Sequence, residues 1–146
     1  MATFTLIDEF IYNQGNGAID LDSHTFKAVL SNTAFADDTV TQLADIVEIA
    51  NGNGYTTGGQ ALTSVTWAET GAGTGIWQWS AADFSWTASG GSIVFRYIII
   101  YDDTSTGDKL AGYWDAGTAT TIPNGFVFTM DVGASGIFRA GPGVIS

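Results

Sequence analysis

Several stretches of the chain alternate apolar and polar positions with a period of two, the spacing of strands with one buried face. In the stretch 25–30, Phe26, Ala28 and Leu30 fall on one side and Lys27 and Val29 on the other. Residues 61–67 end a second strand with Val65 and Trp67, while Trp77 with Trp79, and then Phe84 with Trp86, mark two more. Residues 92–101 are apolar at nearly every position except Arg96, which suits a central strand buried on both faces. Residues 109–114 are predicted to return beside it as a hairpin, with Leu110, Gly112 and Trp114 on one side. The stretches 118–122 and 126–132 flank the turn tripeptide Pro123, Asn124 and Gly125.

Helical spacing is confined to short pieces. Phe4, Ile7, Phe10 and Ile11 fit a short amphipathic helix before Gly15, Asn16 and Gly17, with a strand starting near Phe4 as the competing reading. Residues 1–17 are therefore read as an N-terminal arm or short helix. Between residues 37 and 50, Asp38 or Thr39 can cap a turn or two of helix in which Val40, Leu43, Ala44 and Val47 share a face. Residues 51–59 (Asn-Gly-Asn-Gly-Tyr-Thr-Thr-Gly-Gly) form the densest turn signal. About seven or eight strands at this spacing predict an all-β fold, a single-domain antiparallel β-sandwich or barrel over residues 1–146 with one or two short helices.

Composition narrows the function. Four Lys and Arg against 15 Asp and Glu give a net charge of −11, which argues against nucleic acid and anionic membranes as partners. With 45% hydrophobic and 13% charged residues the chain has the makings of a folded core, and 19 Gly against 2 Pro fit strands joined by tight turns. No apolar run approaches the length of a membrane-spanning helix. Asp8 and Glu9 lie where the apolar stretch of a signal peptide would continue, so none is expected.

The absence of Cys removes disulfides, thiolate metal sites and a Cys nucleophile. His24 is the sole histidine, so a His-based metal cluster or a Ser-His-Asp triad is not supported, and His24 reads as a turn or strand-edge residue. The Gly-rich stretch 52–59 is not followed by the Lys-Ser or Lys-Thr and helix of a phosphate loop. Asp20 with Asp22, Asp37 with Asp38, and Asp102, Asp103 and Asp108 lie in turns, and none matches the spacing of a calcium-binding loop. No catalytic residue, cofactor or metal ligand is expected. Trp77, Trp79 and Trp86 allow a sugar-stacking platform, although aromatic residues at period two more often line a core or a subunit interface. Arg96 calls for an acidic partner in so apolar a strand, and Asp115 and Asp131 are the candidates for a buried pair.

Two stretches carry a resemblance. Residues 46–62 (Ile-Val-Glu-Ile-Ala-Asn-Gly-Asn-Gly-Tyr-Thr-Thr-Gly-Gly-Gln-Ala-Leu) are one. Residues 86–117 are the other, with Trp-Thr-Ala-Ser-Gly-Gly-Ser-Ile, Phe-Arg-Tyr-Ile-Ile-Ile-Tyr-Asp-Asp and Gly-Tyr-Trp-Asp-Ala-Gly. Both, with a weaker echo in residues 27–34, resemble a family of small tailed-bacteriophage virion proteins. That resemblance implies a non-enzymatic virion component, foremost a decoration or cement protein on the exterior of the phage head, made in the host cytoplasm. Its implied partners are the major capsid protein and copies of itself, as a homotrimer. A glycan-binding module of a fibre or spike, and a head–tail or tail component, are the alternatives. Phe4, Ile7, Phe10, Ile11, Trp77 and Trp79 are the candidate partner-contact residues.

Overall fold

The computed structural model describes residues 3–142 and the backbone of 144–145. Its strands are β1 (Thr5–Leu6), β2 (Phe26–Ser31), β3 (Gln60–Ala61), β4 (Thr66–Glu69), β5 (Trp77–Ser80) and β6 (Phe84–Thr87), followed by β7 (Ile93–Asp102), β8 (Leu110–Ile122), β9 (Val127–Met130), β10 (Phe138–Gly141) and β11 (Val144–Ile145). One helix, α1 (Phe10–Gly15), and a 3-10 turn, Leu43–Asp45, interrupt them. All pairings are antiparallel: a five-stranded sheet ordered β1-β8-β7-β2-β3, a four-stranded sheet ordered β11-β10-β5-β4, and the pair β6-β9. The expected all-β architecture is thus a sandwich. Among the described residues no helix is long and apolar enough to cross a membrane.

The five-stranded sheet is buried on both faces, as the unbroken apolar run of β7 requires. Phe26, Ala28, Leu30, Ile93, Phe95, Ile98 and Ile100 belong to one core with Trp79 and Phe138 of the four-stranded sheet and Phe84, Trp86 and Met130 of the β6-β9 pair. On the opposite face Val29, Tyr97, Ile99, Tyr101 and Leu110 pack with Ile7, Val40 and Ile46, with Phe35 and Leu43 at the margin. The second layer on that face is therefore mostly a strap of irregular chain, residues 32–50, with no regular helix. A capping box holds its 3-10 turn: Asp45 accepts from the Gln42 N–H and the Gln42 side chain from the Asp45 N–H. Val47, expected on a buried helical face, is 61% exposed, and Ile46 points inward instead.

Other expectations need revision in register. Residues 1–17 divide between the two readings: Thr5–Leu6 adds to the edge of β8, and the helix starts only at Phe10. The described part, residues 3–17, is no arm standing off the domain, since Phe4, Ile7 and Phe10 are buried in the chain's own core, and residues 1–2 lie outside the described residues. Residues 61–67 break into β3 and β4 around Leu62, and the stretches 109–114 and 118–122 join into the single strand β8. A bulge at Ala111, where Tyr101 pairs with Leu110 and Ile100 with Gly112, sends Leu110 and Trp114 to opposite faces. Farther along, Phe95 pairs with Thr120 and Tyr97 with Asp115, so residues 116–119 of β8 bow out opposite Arg96. Strands β10 and β11 lie in a region where the sequence pattern predicted none.

Candidate functional site

The Gly-rich stretch, which also carries part of the family resemblance, forms a packed brace. Tyr55 is 2% exposed and donates its hydroxyl to Glu48 Oε2 at 2.6 Å, and the Gly58 N–H meets the same oxygen at 2.9 Å. Tyr101 closes the ring by donating to the Gly58 carbonyl at 2.8 Å. Burial, then the bond to Glu48, pushes the Tyr55 phenol well above its ordinary range, so it stays a donor. Gly59 takes φ +72° against β2, where an added Cβ would lie 1.9 Å from the Ala28 carbonyl oxygen. These residues fix the strand-covering chain to the sheet.

Arg96 does pair with Asp115, through Nε–Oδ1 at 2.7 Å and a second nitrogen to Oδ2 at 2.9 Å. The pair is not the buried one expected: the side chains are 37% and 34% exposed, because the bow in β8 opens that end of the sheet to solvent. The Arg96 bond holds the Asp115 carboxyl below its usual range. Asp131 is exposed and is not the partner.

The candidate contact residues separate sharply. Phe4, Ile7, Phe10 and Trp79 are interior, from 8% down to 0% exposed, and offer nothing to a partner in the folded chain. Trp86, at 4%, is likewise core. Ile11 and Trp77 remain at the surface, 47% and 43% exposed. The largest exposed apolar side chains also include Tyr12 beside Ile11, and Phe126 and Val127 at the β8–β9 turn, none of which the sequence pattern singled out.

One cleft combines aromatic and polar groups. A space of about 260 Å³ is lined by Gln14, Gly17, Ile19, Asp20, Leu21, His24 and Trp67. The end of α1 supplies Gln14, and the turn leading to β2 supplies Asp20 and His24. Trp67 comes from β4, stacked on Trp77 with ring centroids 6.0 Å apart and planes 28° apart. His24 is held from behind: its Nδ1 lies 2.5 Å from Oδ2 of Asp102, a fully buried carboxylate at the end of β7. The other oxygen of Asp102 accepts from the Thr104 and Ser105 N–H groups. A neutral ring cannot both donate to Asp102 and accept the 3.3 Å approach of the Asp20 N–H at the same nitrogen. The far shorter contact is the one to which Nδ1 donates, which leaves Nε2 as the ring nitrogen turned away from the carboxylate. The Ser23 hydroxyl, followed by the Asp22 N–H, keeps the Asp20 carboxyl below its ordinary range.

The sequence placed His24 correctly in a turn, but its partner 78 positions away becomes visible only once β2 and β7 pair, with Phe26 opposite Asp102. Among the described residues no three Asp, Glu or His side chains converge as a metal site. A larger cleft, about 440 Å³, runs between Phe4, Trp114, Met130 and the 132–139 segment. No protein-family model, curated protein or solved structure matches the chain.

Proposed function

We propose that the chain is a non-enzymatic structural protein of a tailed-phage virion, a decoration or cement protein that sits on the outer face of the head and bridges neighbouring major capsid protein subunits. The phage half of this reading rests on the resemblance of residues 46–62 and 86–117. Both stretches act as scaffold here, the first as the brace around Glu48 and Tyr55, the second as the β7-β8 hairpin at the centre of the main sheet.

The observation that carries the decoration half is the β8–β9 turn. Phe126 and Val127 stand 64% and 58% exposed on a chain of net charge −11, held out by a turn closed by the Phe126 N–H on the Pro123 carbonyl. An exposed apolar tip of this kind suits a groove between capsid subunits, where docking removes apolar surface from water. Many symmetric copies make modest single-site affinity sufficient, and a homotrimer at threefold positions is the expected arrangement.

Purified protein added to emptied, undecorated heads should bind saturably and raise their heat resistance, and Phe126→Ser should lower the occupancy. Detection of the protein in tails alone, or full occupancy by Phe126→Ser, overturns the reading. A particle map showing isolated monomers overturns the trimer.

A further inference from the structure

We infer that the cleft between α1, the turn before β2 and the Trp67–Trp77 pair is a binding site for a neutral saccharide. Its composition matches that ligand class. Trp67 supplies an aromatic wall, continued outward by the exposed Trp77, against which the apolar C–H surface of a sugar ring can lie. Around the wall stand polar groups: the imidazole of His24, the carboxylate of Asp20, which accepts, and the amide of Gln14, which both donates and accepts. Such a set is answered by groups that donate and accept alike, and vicinal hydroxyls do both. An anion is disfavoured by Asp20 and by the net charge of −11.

The buried carboxylate behind His24 separates this cleft from a chance surface dent. A carboxylate removed from water is costly unless every lone pair is engaged. Oδ1 of Asp102 already has a structural task, holding the turn after β7 through two backbone N–H groups. Among the described residues Oδ2 goes to His24 alone, and its effect is to fix the orientation of a part-exposed imidazole. Positioning of this kind is what a polar recognition site needs. The site does not depend on the virion address proposed above, so either reading can fail alone.

Saturation-transfer-difference NMR and tryptophan quenching with glucose, galactose, mannose and N-acetylglucosamine, each at about 10 mM, test it. At least one should bind, more tightly than glucuronate. Gln14→Ala, a change at a half-buried position outside the hydrophobic core, should weaken binding by tenfold or more, and so should Asp20→Asn. Trp67→Phe should reduce the quenching, while Phe126→Ser, outside the lining of the cleft, should bind as wild type. No signal from any of the four sugars, binding of choline alone, or wild-type affinity in both Gln14→Ala and Asp20→Asn overturns the inference.

Discussion

Phe10 is fully buried, with its ring 6.4 Å from that of Trp79 and 5.5 Å from that of Phe138. Phe10→Ala should therefore cost about 3–5 kcal/mol, read from denaturant melts, since the helix cannot collapse into the gap without leaving the sheet. Asn13, on the same helix, runs the other way. It is 3% exposed and its Nδ2 has no partner among the described residues, so Asn13→Leu removes an unsatisfied donor while keeping the same branched heavy-atom skeleton, and should leave the midpoint unchanged or higher. Tyr55→Phe should cost about 1–3 kcal/mol, because it strips Glu48 of its phenolic donor inside a tight brace. Arg96→Met and Asp115→Ala should each shift the melt only slightly and by similar amounts, as expected of a pair with both members more than a third exposed. A large loss confined to Asp115→Ala would restore the buried-pair reading.

At the level of elements, the brace can be broken without touching its side chains. Gly59→Ala forces a Cβ onto the Ala28 carbonyl at a positive φ, and the strap 32–50 rests on the same sheet, so hydrogen exchange should accelerate in β2 and the strap together. How far the sequence was legible follows the same division. Strands with one clean face, such as β6, were readable because alternation is local, whereas β2, read as half-buried, is covered on both sides like β7, whose unbroken apolar run showed it. What covers the second face was not readable: Val40 and Leu43 have helical spacing, yet they dock as a strap because Asp45 and Gln42 hold only a single 3-10 turn. The bulge at Ala111 inverted the expected face of Leu110, and one extra residue in a ladder leaves no compositional trace. The cleft was the least legible part, since Gln14, Asp20, His24 and Trp67 come from three separate elements and His24 owes its orientation to a residue across the sheet.

For the molecule as a whole, charge sets the response to solvent. A net charge of −11 on a small domain repels itself, so raising salt from about 0.01 to 1 M should raise the thermal midpoint. Acid works through particular groups. The carboxyls of Asp20, Asp45 and Asp115 are all held below their usual 3.8, by the Ser23 hydroxyl, the Thr41 N–H and the Arg96 guanidinium respectively. A carboxyl depressed in the folded state stabilises it above the unfolded value and loses that contribution as pH falls through the folded one. Stability should thus drop as pH passes below 3.8, and Asp45→Asn should flatten that acid limb relative to wild type in melts across the range. The outward bow of β8 has a practical consequence of its own. Residues 116–119 stand outside the β7 register, Gly117 has φ +85° with open space around it, and Gly117, Thr118 and Ala119 are exposed. A foreign epitope spliced between Gly117 and Thr118 would lengthen an existing excursion without disturbing any ladder pair, which makes this the natural point at which to graft a label onto the protein.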